Sequence, residues 1–316
     1  MRGRLCRAST SFVCSDARRS LSVSGALSRH QTSLRKVEFL RGRRRVDERM
    51  RGGPLASRAT STRGYLSVSG KGIESHVRLL ALHSFRTSAA IFKAQMRRAG
   101  WLLPEGEPPS RSPGENAVEV VFLDAPFEAS GALPPRIAEF FPDGPYLEWW
   151  NASDDGKVYE GLGDTLTYVN DFVAREGPFH GVIGFSQGGT LAALLCAMQE
   201  GRGRLGTSAG ASSSTTGSVQ LTQKDFQCCI CLCGLRSRVN EHQQLYESRI
   251  HLPNMHFLGK ADALTAYSRR LVASFVDPIV VEHSRSHVVP PIAEGGGKEA
   301  LRRFLIEHVS GPTPSL

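Results

Sequence analysis

Gly181-Val182-Ile183-Gly184-Phe185-Ser186-Gln187-Gly188-Gly189-Thr190-Leu191-Ala192-Ala193-Leu194-Leu195 reads as an apolar strand, a sharp turn and a helix, with a serine at the apex. Such a turn forces the serine backbone into a strained conformation and stands its hydroxyl clear at the carboxyl edge of a sheet. The flanking glycines leave room for strand and helix to pass closely, and the helix N-terminus adds positive potential below. The five letters Gly184 to Gly188 are a weak signal alone. Gly and Ser are each near a tenth of the chain, so about 0.3 chance matches are expected and the context must carry the assignment. Here the context agrees.

Outward from this turn, short apolar runs alternate with helical patterns. Strands are expected over residues 77–82, 117–123, 179–185, 226–233, 254–258 and 278–282, and helices over 88–98, 163–176, 189–200, 264–275 and 298–309. Strands that are apolar throughout, separated by amphipathic helices, indicate a parallel sheet covered on both faces. The expectation is an α/β fold with about six mostly parallel strands in one domain, residues 76–310. Residues 201–218 are nearly all Gly, Ser, Thr, Ala and Arg, and read as a low-complexity insert.

Charge divides the 316-residue chain. The first 70 residues hold sixteen basic side chains against four acidic ones, a net of +12, whereas the whole chain is +9. The remainder is therefore −3, and the basic character belongs to the N-terminal extension, residues 1–75. A nucleic-acid-binding domain should be basic on its folded body and offer a recognisable module, and neither is seen. The Arg/Ser-rich extension has the composition of a mitochondrial or plastid transit peptide; a disordered tail, or an upstream extension with Met50 as the true start, fits it too. No apolar run reaches the ~18 residues of a membrane span. Four of seven cysteines crowd Phe226 to Cys233. Cys231-x-Cys233 lacks a second pair at ligand spacing, so these thiols read as small hydrophobes of a buried strand and no metal is expected. They imply a reducing compartment: cytoplasmic, or mitochondrial or plastid if the extension is a transit peptide.

A serine hydroxyl needs a base, usually an imidazole held by a carboxylate. In a parallel sheet such groups lie at the carboxyl ends of strands. The strand at Asn254 runs into Lys260-Ala261-Asp262, and the strand at Pro278 runs into His283-Ser284-Arg285-Ser286-His287. Ser186, Asp262, His287 is the chain order of α/β-hydrolases. Asp262 could equally cap the next helix. His283 ends its strand directly and His256 lies inside one, which favours His287 at a loop tip. The backbone N–H groups of Gln187 and Phe85 are the expected oxyanion donors, with His83 positioning the second loop. Trp149 and Trp150 are candidates, with His83, to line a substrate pocket; ordinary aromatic packing is the competing use.

Residues 77–309 resemble the FSH family of serine hydrolases, which are compact α/β-hydrolases. The resemblance rests on Leu82-His83-Ser84-Phe85-Arg86, Leu123-Asp124-Ala125-Pro126, the block from Gly177-Pro178-Phe179 through Gly184-Phe185-Ser186-Gln187-Gly188-Gly189, His256-Phe257-Leu258-Gly259-Lys260-Ala261-Asp262, and Ser286-His287-Val288-Val289-Pro290. The family usually has Gly where this chain has Ser84. The resemblance implies carboxylesterase or thioesterase chemistry through a Ser-Asp-His triad, without metal or cofactor, on a small acyl ester or thioester. A non-catalytic binding module and a peptidase on the same fold are the alternatives, and oligomeric state is left open.

Overall fold

The computed structural model describes residues 59–68, 77–109, 117–205 and 226–309. In chain order, β1 (Ser61–Tyr65) precedes β2 (Arg78–Leu82), α1 (Ala89–Arg98) and β3 (Glu119–Leu123). Then come β4 (Phe127–Glu128), α2 (Pro135–Phe140), β5 (Leu147–Glu148), β6 (Asn151–Ala152) and β7 (Tyr159–Glu160). The segment around the serine comprises α3 (Leu162–Glu176), β8 (Gly181–Phe185) and α4 (Gln187–Leu205). After it follow β9 (Cys228–Leu232), β10 (Asn254–Gly259), α5 (Thr265–Val272), β11 (Ile279–His283) and α6 (Gly297–His308), with a 3-10 helix at Asn240–Tyr246.

The main sheet has seven strands in the order β1-β3-β2-β8-β9-β10-β11. All are parallel except β1, which pairs antiparallel with β3 from Ser61↔Leu123 to Tyr65↔Glu119. The six expected strands are present, and the seventh, β1, lies inside the segment assigned to the N-terminal extension. The folded domain thus begins before residue 76. Arg63 of β1 and Arg78 of β2 both meet Glu119 of β3, at 3.2 Å and 2.7 Å, and Lys93 of α1 donates to Thr62. The rest of residues 1–75 falls outside the described residues, apart from 59–68. Of the expected insert, Gly201–Leu205 continue α4, and 206–218 fall outside the described residues.

Side chains alternate across a pleated strand, and the sheet uses both faces. Leu79 and Ala81 of β2, Val120 and Phe122 of β3, and Cys228, Ile230 and Leu232 of β9 join one core with Phe92 and Met96 of α1 and Leu301, Phe304 and Leu305 of α6. Leu80, Leu82, Val121, Leu123, Cys229 and Cys231 join the other, against Val169 and Phe172 of α3 and Leu191 to Ala197 of α4. The cysteine-rich strand is therefore central and buried on both faces, as expected, and Cys196, Cys228, Cys229, Cys231 and Cys233 are free thiols. Helices on both faces of a mostly parallel sheet make this an α/β-hydrolase fold. Among the described residues no helix is long and apolar enough to cross a membrane.

From β2 the chain first builds outward to β3, then crosses back to β8 and proceeds to β11 on the other side. The reversal falls between β2 and β8, at whose carboxyl ends open α/β sheets form a ligand-binding crevice. The loop His83–Arg86 follows β2, and Ser186 follows β8. Both border that crevice.

Candidate active site

Ser186 is the first residue past β8 and has φ +54°, a left-handed conformation that is costly outside glycine. Its neighbours explain why the turn can be so tight. A Cβ on Gly184 would lie 2.1 Å from the Gly188 carbonyl oxygen, and one on Gly188 would lie 2.0 Å from that of Leu82. Only hydrogen fits at either position. The turn is pinned by Ser186 N–H donating to Leu232 O across to β9, and by Thr190 N–H donating to Ser186 O, both at 2.9 Å.

The structure brings Ser186, His287 and Asp262 together. His287 Nε2 accepts from Ser186 Oγ at 2.8 Å, and His287 Nδ1 donates to Asp262 Oδ2 at 2.7 Å. The other oxygen, Asp262 Oδ1, accepts from Leu264 N–H at 2.8 Å. Asp262 therefore holds both the imidazole and its own turn, while Leu264, the residue before α5, gives that helix no side-chain cap. The carboxylate is buried and the imidazole is partly open to solvent. The two loops are stitched together by Lys260 N–H to His283 O at 2.8 Å and Ala261 N–H to Arg285 O at 3.2 Å. Beyond His287, Pro290 O accepts from the buried Trp101 indole at 2.7 Å. His256 bonds Asn254 Oδ1 and packs edge-on against Phe275 in the core, and His283 is buried with no hydrogen-bond partner among the described residues on either ring nitrogen. Neither reaches Ser186.

On the other side of the crevice, Phe85 and Arg86 turn sharply after β2. The backbone N–H groups of Phe85 and Gln187 have no protein acceptor among the described residues, so both are free to donate to a ligand. Ser84, where the resembling family carries Gly, is not in the left-handed region, so its side chain adds no backbone strain. Its carbonyl accepts from both His83 Nδ1 and Thr87 Oγ1, each at 2.7 Å. Arg86 lies over the Phe85 ring and donates to the carbonyls of Ser130, at 2.9 Å, and Ala132. Behind it Glu148 is buried, and desolvation pushes its carboxyl up to about 7.

The expected pocket residues are placed differently. His83, Trp149 and Trp150 are buried, the first two completely. His83 Nε2 accepts from Ala125 N–H at 2.9 Å, and the Trp149 indole donates to His83 O at 2.8 Å. The Trp149 ring packs against His83, and the Trp150 ring stacks on Tyr159. The Gln187 side chain, which sequence reasoning overlooked, does the pinning. Its Oε1 accepts from Trp149 N–H at 3.0 Å and its Nε2 donates to Trp150 O at 2.9 Å. A residue that must offer its backbone to the crevice is thus anchored at its far end. The signal available was an amide, with one donor and one acceptor, directly after the serine.

Burial lowers the His83 pKa from 6.5 to about 4, because taking the imidazolium out of water outweighs the support its ring gains from the Ser84 carbonyl. Between those values the unfolded chain binds a proton that the folded chain refuses. The contribution is full above pH 6.5 and is lost as pH falls toward 4, by roughly 3 kcal/mol. Urea midpoints measured from pH 7 to 4 should therefore fall more steeply for the native chain than for His83→Gln. Equal slopes would contradict the buried neutral imidazole.

A family model described as Serine hydrolase (FSH1) matches residues 73–295. An esterase of Anopheles gambiae is 30% identical over 253 residues, 77% of this chain and 81% of that protein. The esterase OVCA2 of Danio rerio is 28% identical over 250 residues, 72% of this chain and 96% of its own. Among solved structures, acyl-protein thioesterase 2 of Zea mays aligns over 78% of this chain and 99% of its own, with 15% identity and a TM-score of 0.47.

Proposed function

Because this chain belongs to the Serine hydrolase (FSH1) family, we propose that it hydrolyses carboxylic esters, thioesters included, through an acyl-enzyme on Ser186. One observation carries the reading: the unbroken relay from Ser186 Oγ through both nitrogens of His287 to Asp262. Two similar proteins bear the name esterase, which favours an ester over a peptide as the substrate.

The relay dictates the steps. With Nδ1–H held on Asp262, the lone pair of Nε2 faces Ser186 Oγ and takes its proton as Oγ attacks the carbonyl carbon. The carbonyl π pair moves onto oxygen, and the N–H groups of Gln187 and Phe85 receive that charge. Removing one such donor typically costs ~3 kcal/mol. The imidazolium then protonates the departing alcohol or thiol, and the carbonyl re-forms as the acyl-Ser186 ester. Water, deprotonated by the same Nε2, attacks this ester, and His287 returns the proton to Ser186 as the acid leaves. Asp262 stays ionised throughout, fixing the ring and stabilising its charged form.

The test is a chain-length series of p-nitrophenyl esters and matching acyl thioesters, offered to the full-length chain and followed for acid release. Turnover is expected with at least one member of each series, together with covalent labelling of Ser186 by a fluorophosphonate. A folded protein that resists the probe and turns over neither series would instead be a non-catalytic binding module.

A further inference from the structure

Cys233 occupies a position that the hydrolytic steps do not use. It is the first residue after β9, as Ser186 is after β8, and it too has a left-handed backbone, φ +49°. β9, β10 and β11 are successive neighbours in the sheet. Their carboxyl ends therefore deliver Cys233, Asp262 and His287 to one spot. The thiol sulfur, a carboxylate oxygen and a ring nitrogen all lie within 4.8 Å of one another. The nitrogen facing Asp262 is Nδ1, on the side of the ring away from Ser186. Cys233 is completely buried and Asp262 nearly so.

We propose that Cys233, Asp262 and His287 form an inhibitory site for a thiophilic divalent cation, with Zn2+ as the fitting ion. This rests on the reading of His287 as the base. Sulfur, nitrogen and one carboxylate oxygen are a donor set for zinc, whereas magnesium and calcium take oxygens. Zinc holds such atoms at about 2.0–2.3 Å in a tetrahedron, which puts the ligands roughly 3.5 Å from one another. Small side-chain rotations reach that from the present spacing, with the 2.7 Å contact between Nδ1 and Oδ2 opening to admit the ion. A water takes the fourth position. Charge favours the exchange. Thiolate and carboxylate together neutralise Zn2+, so a buried uncompensated carboxylate becomes a neutral cluster.

The proton balance explains why binding would stop catalysis. The Cys233 thiol releases its proton to solvent as sulfur bonds the metal. The Nδ1 lone pair goes to the metal, and the one proton that the neutral ring keeps must sit on Nε2. Nε2 then presents an N–H to Ser186 Oγ where it had presented a lone pair, and can no longer take the serine proton. Zinc would thus switch the tautomer, without touching the nucleophile.

The experiment uses the full-length chain with two independent readouts. Hydrolysis is titrated with Zn2+ at low micromolar concentrations and then with EDTA. Separately, Co2+ is added as a spectroscopic stand-in. The expected result is at least tenfold inhibition, reversed by EDTA. In Cys233→Ala the half-inhibitory concentration should rise at least tenfold, with each protein compared to its own metal-free rate. Co2+ should give thiolate-to-metal absorption in the near ultraviolet that disappears in Cys233→Ala, although Cys196, Cys228, Cys229 and Cys231 remain. Cys233→Ser, nearly isosteric, guards against a folding defect and should also lose the band. Unaltered zinc sensitivity in both variants would overturn the site, as would absence of the band. A band without inhibition would overturn the switch. Should the chain hydrolyse nothing at all, the function fails while the cobalt band still decides the site.

Discussion

Ser186→Ala is expected to reduce ester hydrolysis by on the order of 10⁵–10⁶-fold while leaving a folded protein. The oxygen removed is the atom that would bond the acyl group, so His287 is left with no proton to take. The N–H groups of Gln187 and Phe85 remain, and their residual effect over water sets the floor. Stability should change little. Alanine keeps the Cβ that Ser186 already carries at φ +54°, so the strain of the turn is unaltered, and the cost is one hydrogen bond to His287, about 1 kcal/mol. Paired measurements of turnover, fluorophosphonate labelling and thermal midpoint would check this. A variant that keeps more than a hundredth of the native rate would show that Ser186 is not the nucleophile.

Asp262→Asn should lower kcat by about 10⁴-fold with KM within a few-fold of native. The reasoning follows from how the carboxylate divides its oxygens. Oδ1 accepts from Leu264 N–H, and Oδ2 accepts from His287 Nδ1. An amide has only one oxygen. If that oxygen stays on Leu264, the NH2 group faces Nδ1 and selects the tautomer whose proton is on Nε2. If the amide flips, the half-buried Leu264 N–H loses its acceptor and is met by a donor. The first arrangement preserves the fold and disables the base, which is why the loss should appear in kcat. A kcat within tenfold of native would remove Asp262 from the relay.

The three relay residues were legible because each lies beyond the carboxyl end of an apolar run that reads as a strand of the sheet. Ser186 stood after Val182-Ile183, Asp262 after Phe257-Leu258, and His287 after Val280-Val281. The choice of His287 over His256 followed from the same logic, since a residue inside a buried strand cannot reach the edge. β1 was not legible. Ser61-Thr62-Arg63-Gly64-Tyr65 alternates exposed and half-buried positions within an Arg/Ser-rich stretch, and it is a strand only because β3 offers an edge to pair with. Local composition cannot report a partner some sixty residues away. The same limit applied to Trp149 and Trp150. Two adjacent indoles suit a groove or a core equally, and what anchors their backbone is the amide of Gln187, 38 residues on. Cys233 likewise read as one more small hydrophobe, because its nearness to Asp262 depends on the order of strands in the sheet.

β1 also bounds how the protein can be matured or shortened. Its five residues cover the outer edge of β3, Glu119 followed by the apolar run Val120-Val121-Phe122-Leu123. A cut downstream of Tyr65 would uncover that row of backbone donors and acceptors, a template for pairing with other copies and for aggregation. Any cut that leaves the sheet intact therefore has to fall upstream of Ser61. A polypeptide initiated at Met50 would retain the strand, whereas a recombinant version trimmed to residue 71 would reach the refolding tube with an open flank.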